Sequence, residues 1–234
     1  MTYQRSVYRQ QGWSTIGSYL FSLLIIYIFF SLSTDAFQYL GFTPLAAIIF
    51  LLFSIITSAI NIPIKVLEGE VKEVKHIITF FGISYNIPIT QKNDTLIAIN
   101  VGGAVLPIVI SIYLWITHPF AIVLSLISIL IASLIINQYA QPINGLGIAL
   151  PMWVPVVCAS MFAAFSALFH PEVAPIVGYT TGVIGSLIGA DLLNLHKVTD
   201  LGAPVASIGG AGTYDGIFIS GIMSVVLLAI FGFV

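Results

Sequence analysis

Seven stretches of mostly apolar residues dominate this chain, at 14–33, 44–62, 95–116, 119–137, 146–168, 173–195 and 213–234. A helix that crosses a bilayer needs about 20 such residues, and each stretch is long enough. The breaks between them carry ordinary stop signals: Gly41 and Pro44, the polar stretch 65–94, His118-Pro119, Gln141-Pro142 with Asn144-Gly145, and His170-Pro171. Composition closes off a water-soluble alternative. Only 7% of the 234 residues are charged, against about 25% in soluble domains. The sequence therefore predicts an all-α, polytopic transmembrane bundle of about seven spans, one domain over 1–234, with the lipid bilayer as its first partner. A formal charge of -2 leaves no basic surface for nucleic acid. The single cysteine, Cys158, excludes an intrachain disulfide and a Cys-rich metal site. No metal and no cofactor is expected, and oligomeric state is not legible.

Arg5 and Arg9 precede an apolar run too long for a signal-peptide core, so the first span reads as a retained anchor. With the N-terminus inside, seven crossings put the C-terminus outside, and Arg5, Arg9, Lys65, Lys72, Lys75, Lys92 and Lys197 all fall on the cytoplasmic side. A multi-pass protein of the cell membrane is expected. The insertion at 62–92 mixes alternation with β-branched residues, with Gly69 and Gly82 available for turns. A small cytoplasmic β-hairpin or three-stranded patch and a solvated loop both fit it. Asn-Ile-Pro-Ile occurs at both 61–64 and 86–89 and could bracket a hairpin.

Charge inside the spans is the functional signal. Asp94 is placed to cap the third helix, Glu172 sits in the first turn of the sixth span, and Asp35 and Asp200 read as loop residues. Asp191 and Asp215 remain. They stand about one turn inside the cytoplasmic ends of consecutive spans, at one depth, so they can meet. Carboxylates in such positions face protein or a water-filled cavity. Gly178, Gly182, Gly185 and Gly189 form a stripe that lets a neighbouring helix approach closely, and Asp191 projects away from it. The sixth span should therefore be central. The glycine-rich yet apolar connection 196–212 reads as a re-entrant, cavity-lining segment. Asn100, Gly102, Gly103 and Pro107 break the third span, and Pro142 to Pro155 crowd the start of the fifth. Kinks and close packing explain these breaks, and so does a ligand site of unwound helices. His118 and His170 each precede proline and suit capping or interface roles. P-loop, dinucleotide, zinc-helix and nucleophile-elbow motifs are missing from the sequence.

Two stretches carry resemblances: Ile188 to Leu195 (IGADLLNL) and Leu201 to Phe218 (LGAPVASIGGAGTYDGIF). With Ile99 to Ala104, they resemble a prokaryotic membrane family catalogued as domain of unknown function sixteen-fourteen. They are also distantly similar to the presenilin and signal-peptide-peptidase-like proteases. Those enzymes carry one catalytic Asp on an inward helix in a Tyr-Asp context and a second on the next helix in a Gly-x-Gly-Asp context. The resemblance makes Asp191 and Asp215 the catalytic pair. Gly210, Gly212, Tyr214, Asn194 and Asn100 would then bind substrate or line the cavity. Ala190 stands where the family has Tyr, and Thr213 and Tyr214 separate Gly212 from Asp215. The family's Pro-Ala-Leu element has its nearest match in Ala149, Leu150 and Pro151, earlier in the chain and at a cytoplasmic helix start.

Three functions follow. In an intramembrane aspartyl protease acting on transmembrane-helix substrates, the two carboxyls share a proton and activate a water. A proton- or cation-coupled transporter or channel would bind its ion with the same aspartates. A structural subunit of a membrane complex would pair them with hydroxyls such as Ser207 or Thr213.

Overall fold

Helix prevails where the apolar runs are long, and strand takes over at one end of the bundle. The computed structural model describes the backbone of residues 2–69, 71–80, 83–92, 94–143, 147–201, 204–210 and 216–234. Side chains are described for 16–69, 94–143, 147–198, 204–210 and 216–234. The order is α1 (Thr2–Tyr39), α2 (Pro44–Thr57), β1 (Asn61–Leu67), β2 (Val71–Phe80), β3 (Ile83–Lys92), β4 (Thr95–Asn100) and α3 (Leu106–Thr117). Then come α4 (Ala121–Tyr139), β5 (Gln141–Ile143), β6 (Gly147–Ala149), α5 (Trp153–Ala167), α6 (Ala174–Ser186), β7 (Val205–Ile208) and α7 (Gly216–Ile230). A π turn, Val101–Val105, leads into α3; a second, Leu187–Asp191, and a 3-10 helix, Leu192–Leu201, prolong α6.

Among the described residues, three segments are long and apolar enough to cross a membrane: Ile16–Tyr39, Ala121–Tyr139 and Pro171–Val198. Four shorter apolar helices accompany them, Pro44–Thr57, Val101–Thr117, Trp153–Ala167 and Gly216–Ile230. On α1, the consecutive residues Leu23, Leu24, Ile25 and Ile26 are all more than half exposed. A helix apolar all round and uncovered by protein is solvated by lipid, so the chain is a membrane protein. α1 also runs past the expected end of the first span. Asp35 is therefore a helical residue, accepting from Gln38 Nε2 at 3.3 Å, and not a loop residue.

α6 is the centre, as its glycines predict. Every residue from Ala174 to Val183 is buried, and α4, α5 and α7 pack around it. The stripe serves three neighbours: Gly178 meets Ala163 of α5 and Ser224 of α7, Gly182 lies against the backbone of Ser220 and Gly221 on α7, and Gly185 and Gly189 lie against α4. Small residues matter here because lipid gives helices no hydrophobic reason to associate, leaving close packing as the attraction. Phe37, Leu51, Leu114, Tyr179, Phe218 and Ile222 fill the main core.

The insertion reading is half right. β2 and β3 form a hairpin from Val71↔Lys92 to Phe80↔Ile83, with Gly82 outside the described residues. The three-stranded sheet is a separate structure, ordered β1-β4-β7, with β1–β4 antiparallel and β4–β7 parallel. β4 comes from the expected third span and β7 from the expected re-entrant segment. The third helix consequently begins about six residues late. Asn100 caps it, accepting from Gly103 N–H at 2.8 Å, while Asp94 accepts from Gly69 N–H at 3.2 Å instead. A further hairpin, β5–β6, stands where helix was expected at 147–149.

Candidate functional site

Asp191 is the last residue of the π turn Leu187–Asp191. Such turns are rare and concentrate at functional sites, and this one has a definite consequence. Asp191 lines two neighbouring cavities, of about 210 and 280 Å³. Ile148 of β6 is the other residue common to both. The first cavity is bounded by Leu195 and Val198 of the 3-10 helix, by Gly147 and by Gly210. Its far wall is all four residues of β7, Val205 to Ile208. Because side chains alternate across a strand, four consecutive lining residues mean that the strand presents its edge to this space.

Among the described residues no strand pairs with that edge, and it lacks the guards that the other edge of the sheet carries. β1 carries Pro63, which has no N–H, a register shift between Pro63 and Lys65, and the Lys65 charge. Proline, bulges and lysine guard a sheet edge against further pairing. β7 has none of the three within Val205–Ile208. Leu96 N–H donates to Pro204 O at 3.0 Å. In a parallel ladder with this register the backbone groups of Ala206 and Ile208 turn toward β4, and those of Val205 and Ser207 turn outward. The Ser207 side chain is held by the sheet, donating to Asn61 Oδ1 at 2.5 Å.

The second cavity is more aliphatic, with Leu150, Met152, Pro155, Ala190 and Ile217 around it. Two polar groups enter it, Asp191 and Ser186. The Ser186 hydroxyl donates to Gly182 O at 2.6 Å and lies 3.0 Å from the Ser220 hydroxyl. Gly216, next in the chain after Asp215, also lines it.

The expected site residues separate on inspection. Asp191 and Leu150 share the second cavity, and Gly210 joins Asp191 at the first. Gly209 and Gly210 leave β7 at φ of +83° and +86°, where a side chain would be strained. Gly209 further presses on Gly103 and Ala104. Ala149 ends β6, and the exposed Pro151 accepts from Val154 N–H at 3.0 Å as α5 begins. Asn100 is fully buried, its Nδ2 donating to Ser58 O at 2.6 Å and Asn61 Oδ1 at 3.1 Å. Asn194 is likewise fully buried and lines neither cavity. Gly212, Tyr214 and Asp215 lie outside the described residues. Ile148 and Ser186 went unnoticed in the sequence. The Asn144-Gly145 pair, a strong hairpin signal between short apolar runs, could have exposed β5–β6 and with it Ile148. Nothing in the sequence singles out Ser186 among the serines of the spans.

A family model described as Protein of unknown function (DUF1614) matches residues 55–227. The match takes in β1 through most of α7, hence both cavities. No curated protein and no solved structure matches the chain.

Proposed function

The chain belongs to this family, and we propose that it is an intramembrane aspartyl protease with Asp191 and Asp215 as its dyad. The observation that carries the reading is Asp191 itself. It is a carboxylate at the junction of an open strand edge and an aliphatic cavity, on the α6 extension that precedes α7. Gly216 supports the second aspartate, since it lines the same cavity and is bonded to Asp215. Two neighbouring carboxyls resist double ionisation and share a proton. The ionised one takes a proton from water, whose oxygen adds to the scissile carbonyl carbon. The protonated one donates to the carbonyl oxygen. Collapse of the tetrahedral intermediate expels the amine, which takes up a proton.

A transmembrane helix has no backbone groups free for cleavage until it unwinds. An extended segment along Val205 and Ser207 would recover its lost hydrogen bonds by joining the sheet. The proposal thus assigns the strand-adding edge to β7. Leu150 in the second cavity supports a substrate-contact role for the Ala149-Leu150-Pro151 element. The same proposal includes seven crossings of the cell membrane with the N-terminus cytoplasmic, supported by the seven apolar helices and by the placement of all Lys and Arg.

The test is reconstitution with a library of transmembrane-helix substrates. Asp191→Asn and Asp215→Asn should each abolish product, and the double variant should lose no more than either, since the two act as one unit. A wild type that cleaves nothing, yet carries an ion flux that either variant stops, would replace the protease with the transporter.

A further inference from the structure

α6 changes its winding twice within a few residues of Asp191, from α to the wide π turn and then to the tight 3-10 helix Leu192–Leu201. Main-chain carbonyls at such a junction can take side-chain donors as well as helix N–H groups. One side chain meets them here. Asn194 Nδ2 donates toward Ala190 O at 3.0 Å and Gly189 O at 3.2 Å, the carbonyls of the two residues preceding Asp191. The second amide hydrogen donates to Asn137 Oδ1 on α4 at 2.8 Å, so the two main-chain carbonyls share the first, and Asn194 Oδ1 accepts from Lys197 Nζ at 2.8 Å. The amide is fully buried, so no solvent competes for it. Gly189 anchors the same turn from another side, its α-carbon close to Ser133 O and Ile136 of α4.

We propose that Asn194 is a positioning residue, which with Asn137 and Lys197 holds the π turn in the register that turns Asp191 into the two cavities. Without the amide, the carbonyls of Gly189 and Ala190 lose a side-chain donor that regular α winding does not need. A one-residue change of register rotates a side chain by about 100° around the axis. That would carry position 191 off the cavity walls. The proposal deepens the protease reading, because the group being held is the proposed catalytic Asp191, but it is tested without any substrate.

In a Cys158→Ser background, Asp191→Cys places a thiol where both cavities meet. A small, water-soluble methanethiosulfonate reagent measures its access in the full chain in membranes, and Ser207→Cys on β7 serves as the control. Adding Asn194→Leu should slow labelling at 191 at least tenfold while leaving 207 unchanged. Equal rates at 191 with and without Asn194→Leu would overturn the proposal. If Asn194→Leu also slows labelling at 207, the bundle has loosened and Asn137→Ala decides. That change removes only the tether to α4. About threefold slower labelling at 191 alone supports the assignment, and an unchanged rate overturns it. Failure of the protease reading would appear instead as absent cleavage with the labelling pattern intact. Where cleavage is observed, Asn194→Leu in the natural Asp191 chain should lower kcat with KM little changed.

Discussion

Gly185 and Gly189 stand one turn apart on the same helix and face the same neighbour, so a methyl group at each makes a controlled comparison. At 185 an added Cβ would lie 3.5 Å from Ala132 Cβ and 3.8 Å from Ile136 Cδ1, which is ordinary contact. At 189 it would lie 2.6 Å from the Ser133 carbonyl oxygen and 2.9 Å from Ile136 Cβ. The first of these is backbone and cannot rotate away. Replacing Gly by Ala stabilises a compatible helical site by about 0.4–1 kcal/mol through the unfolded chain, and overpacking costs about 1–3 kcal/mol. Gly185→Ala should therefore be neutral or stabilising by up to about 1 kcal/mol. Gly189→Ala should lose about 1–2 kcal/mol net. In a chain of this size 1 kcal/mol shifts Tm by about 2–4 °C, so Gly189→Ala should melt about 2–8 °C lower. Cys158, the one cysteine and partly buried on α5, supplies the assay, since a thiol-reactive fluorophore reports its exposure on heating in micelles. Equal melting of the two variants would refute the reasoning, and a lower Tm for Gly185→Ala would reverse it.

Asn100→Ala removes the cap of the third helix and its tie to α2, and should cost about 1–2 kcal/mol, read in the same melting assay; Asn100→Asp keeps the cap acceptor but sets a fully buried carboxylate against Ser58 O and Asn61 Oδ1, and should cost at least as much. A cysteine at Phe169, in a Cys158-free chain, should react with an impermeant reagent added outside intact cells, and one at Lys72 should not. Labelling at Lys72 from outside would overturn the proposed orientation. Val205→Pro removes an outward N–H from the β7 edge without taking a donor from the β4 ladder. It should lower cleavage of a helix substrate at least tenfold, and unchanged cleavage would remove β7 from the proposed mechanism.

The long elements were legible because a bilayer admits few solutions to an apolar run of about twenty residues. α2, α4 and the extended α6 begin within two residues of their expected starts, at prolines that mark first turns. Of the strands, the β2–β3 hairpin was legible in the insertion, and β4 and β7 were not. Thr95–Asn100 and Val205–Ile208 are short, apolar and continuous, and periodicity cannot tell such a run from a helical segment. Pairing distinguishes them: β4 with β1, and β4 with β7 across more than a hundred residues of intervening chain. The same limit hid the cap. Asp94 and Asn100 are both good cap residues, and which one serves depends on where β4 stops. Asp191 could be found because charge is expensive at membrane depth. Its cavities could not, because β6, β7 and the π turn that make their walls arise from tertiary pairing and from a local change of winding.

Helix length explains why these walls sit where a carboxylate could act on a membrane-embedded chain. α2, α5 and α7 have 14, 15 and 15 residues, which is about 21–23 Å at 1.5 Å per residue. A hydrocarbon core is about 30 Å thick. Ile16–Tyr39 and Pro171–Val198, at 24 and 28 residues, are long enough for that thickness. The shortfall falls at one end: α2 leads into β1, α3 follows β4, α5 follows β6 and α7 follows β7. That end is where the chain gives up helix while α6 and its extensions continue. Strands at membrane depth must satisfy their backbone within protein or against water. β4 does so as the centre of its sheet, and β1 is guarded by Pro63 and its register shift. The outward groups of β7 meet the first cavity, beside Asp191. An unwound substrate helix arriving at that depth would need the hydrogen bonds that this edge offers, and would receive them next to the proposed catalytic carboxylate.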